Sequence, residues 1–185
     1  MSEKSPYDVV IQNVVASATL DQKINLLDIM KFFRNVEYRP KQFPGLVFRL
    51  KRPKTATLIF SSGKMVCTGA KSEKQARSAV GKVVRELKTN GIIILGKPKI
   101  VIQNMVASAN LHGKIDQEAM SDILENVMYE PEQFPGAIYR MTEPKVVLLV
   151  FASGKLAITG AKREEHVHEA AEKMKAILVE NGLLF

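Results

Sequence analysis

Cysteine occurs once in 185 residues, at Cys67, so no intrachain disulfide can form and a reducing compartment is expected. Long apolar runs are missing too. Charges interrupt every hydrophobic stretch, which excludes a membrane-spanning helix. The opening "MSEKSPYDVV" lacks the basic region and long apolar core of a secretory signal, so a cytosolic chain is expected. Of three histidines, His166 and His168 stand two apart on an expected helix and diverge, while His112 is isolated; no metal pair forms. Nowhere do a nucleophile, a base and an orienting group converge, so neither an enzyme nor a cofactor is expected. The stretch "SSGK" (Ser61–Lys64) resembles a phosphate loop, but Leu58 stands at its first Gly and Met65 at its Ser/Thr. It reads as a turn.

What is present is a folded, basic chain. It is 46% hydrophobic and 25% charged, with net charge +8 and pI near 9.6, which favours an anionic partner. The charge is uneven. Residues 1–91 hold 17 Lys and Arg against 7 Asp and Glu, a net +10; residues 92–185 hold 10 against 12, a net −2. Two surfaces with different partners are implied.

The chain repeats itself at a spacing of 91 residues. Residues 9–71 and 100–162 agree at 31 of 63 positions, with "IQNVVASATL" matching "IQNMVASANL" and "SSGKMVCTGAK" matching "ASGKLAITGAK". The period is too long for a solenoid, so this is a duplicated small domain. The expected organisation is a tail over 1–8, a first repeat over 9–91, a connector over 92–98, a second repeat over 99–182 and a tail over 183–185.

Each repeat reads as one α+β design. Alternation over Val9–Leu20 predicts a strand with Ile11, Asn13, Val15, Ser17 and Thr19 on one face. Asn25, and Asp116 in the second copy, caps a short helix running to about Arg34. Strands follow over Leu46–Lys51, Lys54–Ser61 and Lys64–Thr68, joined by short turns into an antiparallel meander. Ser72-Glu73-Lys74-Gln75 is a capping box, opening a helix whose Ala76, Ala79, Val80, Val83 and Leu87 form an apolar stripe. That stripe covers the sheet face holding Ile59, Met65 and Cys67. Nothing in the repeat covers the other face, which carries Leu58, Phe60 and Val66 with Lys54 and Lys64 at its margins. An apolar centre with a basic rim is a partner surface.

The turn "QFPG" occurs at Gln42–Gly45 and again at Gln133–Gly136. A turn at "KRPK" centred between Lys51 and Arg52 would set Phe43 opposite Phe60 and Arg49 opposite Lys54. The second copy would set Phe134 opposite Phe151 and Arg140 opposite Lys145. Facing like charges destabilise a sheet unless something anionic lies across them.

With "QFPG", "LIFSSGKMVCTGAK" and "YEPEQFPGAIYRM", the chain from about Val9 to Gly182 closely resembles the core of the TATA-box-binding protein family, most like its archaeal form. The resemblance implies two tandem pseudo-symmetric repeats forming a saddle, with a curved antiparallel sheet of about ten strands and helices on the convex face. It implies binding in the minor groove of double-stranded DNA at a TATA element, with Phe43, Phe60, Phe134 and Phe151 wedged between base steps. Members of this family are themselves the standing example of such wedges. TA steps unstack most easily, so deformability selects sequence.

Asn is rare in strands, yet Asn13 and Asn104 stand mid-strand on the open face. In the minor groove an A·T pair offers only acceptors, which an amide NH₂ can satisfy; Thr68 and Thr159 can act likewise. Val15, Leu58, Val66, Val106, Leu149 and Ala157 are the apolar base contacts, Ala157 standing where the first copy has Val66. Arg49, Lys54, Lys64, Arg140, Lys145 and Lys155 are the phosphate candidates. Six released contacts predict a log–log salt slope of roughly −5.

The copies differ at the loop. Arg39 and Lys41 flank Pro40, whereas Glu130 and Glu132 flank Pro131. An acidic loop at one end lets a basic partner choose that end of a near-symmetric site. The resemblance assigns Glu130, Glu132 and Gln133 to transcription factor B, ahead of the RNA polymerase assembly; Gln133 stands where other members often carry Leu. A monomer on DNA is expected, with a dimer allowed when the apolar face is empty. Localisation follows the lineage: cytoplasmic and nucleoid-associated if archaeal, nuclear if eukaryotic. Two other readings stay open: a sheet stacking single-stranded nucleic acid on its aromatics, and an apolar-ligand cradle, which the charge disfavours.

Overall fold

The computed structural model describes residues 7–185. The tail expected over residues 1–8 lies, as far as residue 6, outside the described residues. The architecture is α+β, with one design of five strands and two helices appearing twice. In chain order the first copy is β1 (Val10–Thr19), α1 (Leu26–Phe32), β2 (Val36–Glu37), β3 (Leu46–Lys51), β4 (Lys54–Ile59), β5 (Lys64–Ala70) and α2 (Glu73–Thr89). The second is β6 (Lys99–Asn110), α3 (Gln117–Ile123), β7 (Val127–Met128), β8 (Ala137–Met141), β9 (Val146–Val150), β10 (Lys155–Ala161) and α4 (Glu164–Glu180). Among the described residues two compact units result: one spans Asn13–Gln103, the other Asn104–Phe185 together with residues 7–12.

In the Asn13–Gln103 unit the strand order is β2-β3-β4-β5-β1, every pair antiparallel. Alternation decides the faces. Val14, Ala16 and Ala18 of β1, Leu46, Phe48 and Leu50 of β3, Ile59 of β4, and Met65 and Cys67 of β5 are buried. Against them lie Ala79, Val80, Val83 and Leu87 of α2 and Leu26 and Ile29 of α1, which complete the core. Each Leu or Ile so enclosed contributes about 1.5–3 kcal/mol. Burial also pushes the Cys67 thiol up from its ordinary pKa, against smaller opposing effects of the Thr57 and Thr55 hydroxyls, so the thiol stays neutral and unreactive.

The helix ends follow local chemistry. Asn25 Oδ1 accepts from the backbone N–H of Leu27 and Asp28, and Ser72 Oγ accepts from that of Gln75. α1 stops at Phe32, earlier than the expected Arg34, because Phe33 turns extended and sets its ring 5.0 Å from that of Phe48. α2 closes at Asn90-Gly91, where Ile92 N–H donates to the Leu87 carbonyl, a Schellman closure that Gly91 permits with φ of 93°.

The other unit repeats the plan with order β6-β10-β9-β8-β7. Its core is built from Met105, Ala107, Leu148, Val150, Leu156 and Ile158, with Val167, Ala170, Ala171, Met174 and Leu178 of α4. One contrast stands out at the helix starts: Arg163, the N-cap residue of α4, makes no side-chain cap bond, where α2 has Ser72.

The hairpin register differs from expectation by two residues. The turn is Arg52-Pro53 alone, so Lys51 pairs with Lys54 and Arg49 with Ala56. Arg140 pairs likewise with Val147, and Met141 with Val146. The expected facing pairs Arg49/Lys54 and Arg140/Lys145 are therefore not formed, and only the first repeat closes its hairpin on two cations. A shift of two leaves every side chain on its face, so the face assignments are unaffected.

Candidate nucleic-acid interface

The rows left by the helices are neither buried nor fully exposed. In the first repeat Asn13, Val15, Ser17, Val47, Ala56, Leu58, Phe60, Val66 and Thr68 are all half-buried, and so are the nine equivalents in the second: Asn104, Val106, Ser108, Ile138, Val147, Leu149, Phe151, Ala157 and Thr159. Their neighbours are one another. Leu58 pairs with Val66, and Val66 with Ser17; Leu149 pairs with Ala157, and Ala157 with Ser108. Among the described residues, the helices pack against the alternate, buried residues of these strands and leave these rows uncovered.

At one end of each row stands an aromatic pair. The rings of Phe43 and Phe60 meet edge to face with centroids 5.9 Å apart, and those of Phe134 and Phe151 at 6.1 Å. Phe43 is 43% exposed and Phe134 38%, so neither tucks beneath its turn. Phe43 reaches its partner from the loop: its N–H and that of Gln42 both donate to the Arg39 carbonyl, 2.9 Å each. The glycine of "QFPG" makes the room. A Cβ on Gly45 would lie 2.7 Å from the Phe43 ring and 3.0 Å from that of Phe60, and one on Gly136 would lie 2.7 Å from the Phe134 ring.

Further along each row a bulge orients an amide. Between Val14/Ala70 and Ala16/Cys67 the β1–β5 ladder takes an extra residue on β5, around Thr68-Gly69; β10 does the same at Thr159-Gly160. Gly69 and Gly160 have φ of 100° and 98°, the left-handed conformation a bulge demands. The freed Gly69 N–H donates to Asn13 Oδ1 at 2.7 Å, and Gly160 N–H to Asn104 Oδ1 at 2.7 Å. With the oxygen fixed, the amide nitrogen's side is fixed too. Asn13 Nδ2 donates one proton to Thr68 Oγ1 at 3.1 Å, and Asn104 Nδ2 to Thr159 Oγ1 at 3.3 Å. The Thr68 hydroxyl is within reach of Asn13 Oδ1 as well, at 3.4 Å, and the second amide proton of each Asn remains for another acceptor.

All six phosphate candidates are exposed. Arg49 and Lys54 line one groove with Thr68 and Gly69; Arg140 and Lys145 line its counterpart with Thr159 and Gly160. The repeats differ here: Glu37 holds Arg49 at 3.3 Å and Arg39 at 3.6 Å, whereas the equivalent position in the second repeat is Met128. Among the described residues no group of three or more His, Cys, Asp or Glu could hold a metal, and no helix is long and apolar enough to cross a membrane.

The family model described as "Transcription factor TFIID (or TATA-binding protein, TBP)" matches residues 8–90 and again 99–181. The chain belongs to the TATA-binding protein family. It is 56% identical over 177 residues to the TATA-box-binding protein of Sulfurisphaera tokodaii, covering 95% of this chain and 89% of that one. It is 59% identical over 164 residues to that of Pyrodictium occultum, covering 89% and 82%. The solved structure of Methanococcus jannaschii TBP superposes with a TM-score of 0.85 at 47% identity, covering 93% of this chain and 98% of that one. The tandem α+β repeat is thus the fold of a transcription-factor family.

Within this TATA-binding protein fold, the loop holding Glu130, Glu132 and Gln133 is exposed throughout and is shaped by the Glu130 carbonyl, which accepts from Gln133 and Phe134 N–H at 3.0 Å each. Sequence reasoning missed its support. Gln117 is buried, and its Nε2 donates to the carbonyls of Pro135 and Val150 at 2.8 Å each, tying the loop to the end of β9 beside Phe151. The first repeat has Leu26 there. A polar residue replacing a core leucine between otherwise similar repeats was the available signal. The bulge glycines were missed as well, although "TGAK" recurs unchanged in both repeats.

Proposed function

We propose that the chain is a general initiation factor that binds an A·T-rich TATA element through the minor groove and bends it. The observation that carries this reading is the pairing, in both repeats, of a solvent-reaching aromatic couple with an amide whose donor side is preset toward an uncovered apolar row. Adenine N3 and thymine O2 are acceptors only, and a guanine amine in the groove would meet Val15, Leu58 and Val66, or Val106, Leu149 and Ala157. The four Phe wedge between base steps at the ends of the site; unstacking costs roughly a few kcal/mol per step, partly offset by aromatic burial. Arg49, Lys54, Lys64, Arg140, Lys145 and Lys155 hold the phosphates, giving a log–log salt slope of roughly −5.

Glu130, Glu132 and Gln133 dock transcription factor B, which sets the orientation for the RNA polymerase assembly. The protein acts as a monomer on DNA. A gel shift with a TATA duplex, a scrambled duplex and the single strands tests the reading. Preference for the TATA duplex is expected; equal or tighter binding of single strands would replace it with base stacking on an open sheet.

A further inference from the structure

The two repeats agree at about half their positions, yet at 25–34 against 116–125 they agree at none. That window is α1 in one copy and α3 in the other, each with its cap and flank. The core side of α1 is ordinary: Leu26 and Ile29 are buried. Its outer side is not. Leu27 is 60% exposed and Met30 43%, where the second repeat has Glu118 and Ser121; Phe32 is 55% exposed, as its counterpart Ile123 is at 52%. Leu27 and Met30, three apart, share one stripe; Phe32 emerges on the other flank. The charge around them inverts as well. Residues 21–41 carry a net +2, while residues 112–132 carry −5. Lys23, Lys31 and Arg34 are exposed near the apolar residues, and only Lys31 approaches an acid, Asp28 at 3.8 Å.

Apolar residues held open on a helix this short serve no folding purpose, and they offer nothing to a phosphate backbone. Grouped with the exposed cations Lys23 and Arg34, and with Lys31 at a long 3.8 Å from Asp28, Leu27 and Met30 match a segment that is itself amphipathic and acidic. We propose that the outer face of α1 docks an acidic amphipathic helix of a protein partner, its apolar residues meeting Leu27 and Met30 and its carboxylates meeting Lys23, Lys31 and Arg34. The partner class differs from that of the acidic loop in the second repeat, so the molecule presents opposite charges to two proteins.

The test titrates the isotope-labelled full chain with a synthetic peptide carrying leucines at helical spacing and glutamates between, and with its lysine-for-glutamate counterpart. Amide shifts centred on Leu27–Phe32 are expected with the acidic peptide and not with the basic one. The Leu27→Glu, Met30→Glu double variant is expected to weaken binding about tenfold or more, with unchanged circular dichroism and unchanged TATA-duplex binding. The proposal is overturned by shifts confined to the rows of Asn13, Val15 and Thr68, which would make the peptide a DNA mimic. Equal response to both peptides, no response, or concentration-dependent α1 shifts without peptide, which would mark a second copy as the occupant, overturn it equally.

Discussion

The uncovered rows and the short helices of the two repeats have diverged to opposite extents. Along the rows, Asn, Val, Ser, Thr and Phe recur at matched positions, and even the bulge glycines keep the same φ within two degrees. In the short helix identity vanishes, and there and at positions 39 and 41 of the loop charge reverses. A surface meeting a near-symmetric duplex must look the same from both ends, whereas surfaces meeting different proteins must not. The comparison therefore separates what the repeats share from what each does alone.

The largest effect is expected where the repeats are most alike. Replacing Phe43 and Phe60 together by Ala, or Phe134 and Phe151 together, should each cost about 2–3 kcal/mol in TATA binding, with equal losses in both repeats by titration. A large inequality would break the equivalence. Reversing the loop charges comes next and should be one-sided: Glu130→Lys with Glu132→Lys should abolish the transcription factor B ternary complex, while Arg39→Glu with Lys41→Glu leaves it intact. A band shift reads both.

The amides give a subtler contrast within each repeat. Asn13→Asp keeps an acceptor for Gly69 N–H but removes the NH₂, so the thermal midpoint should hold while duplex affinity falls about tenfold, as expected from a lost donor. Asn13→Ala should lower both, because the bulge N–H is left without its partner. If Asn13→Asp binds duplex as well as the native chain, the amide is structural only. The smallest effects concern the long helices. Ser72→Ala should cost about 1 kcal/mol, and Arg163→Ser should gain a comparable amount in the uncapped repeat; urea melts measure both.

Much of the fold was legible because its signals are local and doubled. Period-two alternation assigned β1, β3, β4 and β5 to their faces, the Asn25, Asp116 and Ser72 caps fixed the helix starts, and Asn-Gly marked both closures. The register was not legible. Whether the turn is centred between Lys51 and Arg52 or between Arg52 and Pro53 depends on backbone geometry that no side-chain pattern reports, and the facing-cation argument failed with it. The end of β5 was also hidden: it runs on to Ala70 through a bulge, where a period-two reading stops at Thr68. For the interface, the sequence located the open rows and the aromatic contacts, but not what holds them. In the sequence Gln117 shows only as a polar residue where the first repeat has Leu26; its role is clear once its amide is found between the Pro135 and Val150 carbonyls.

The central claim is that both uncovered rows engage one bent duplex, with a wedge at each end. Placing 2-aminopurine at either terminal step of a TATA duplex tests it most directly, since unstacking raises the probe's fluorescence. Binding should raise it at both ends, with the rise lost at one end only for Phe43→Ala, Phe60→Ala and at the other for Phe134→Ala, Phe151→Ala. Tight binding with neither end unstacked would contradict the account.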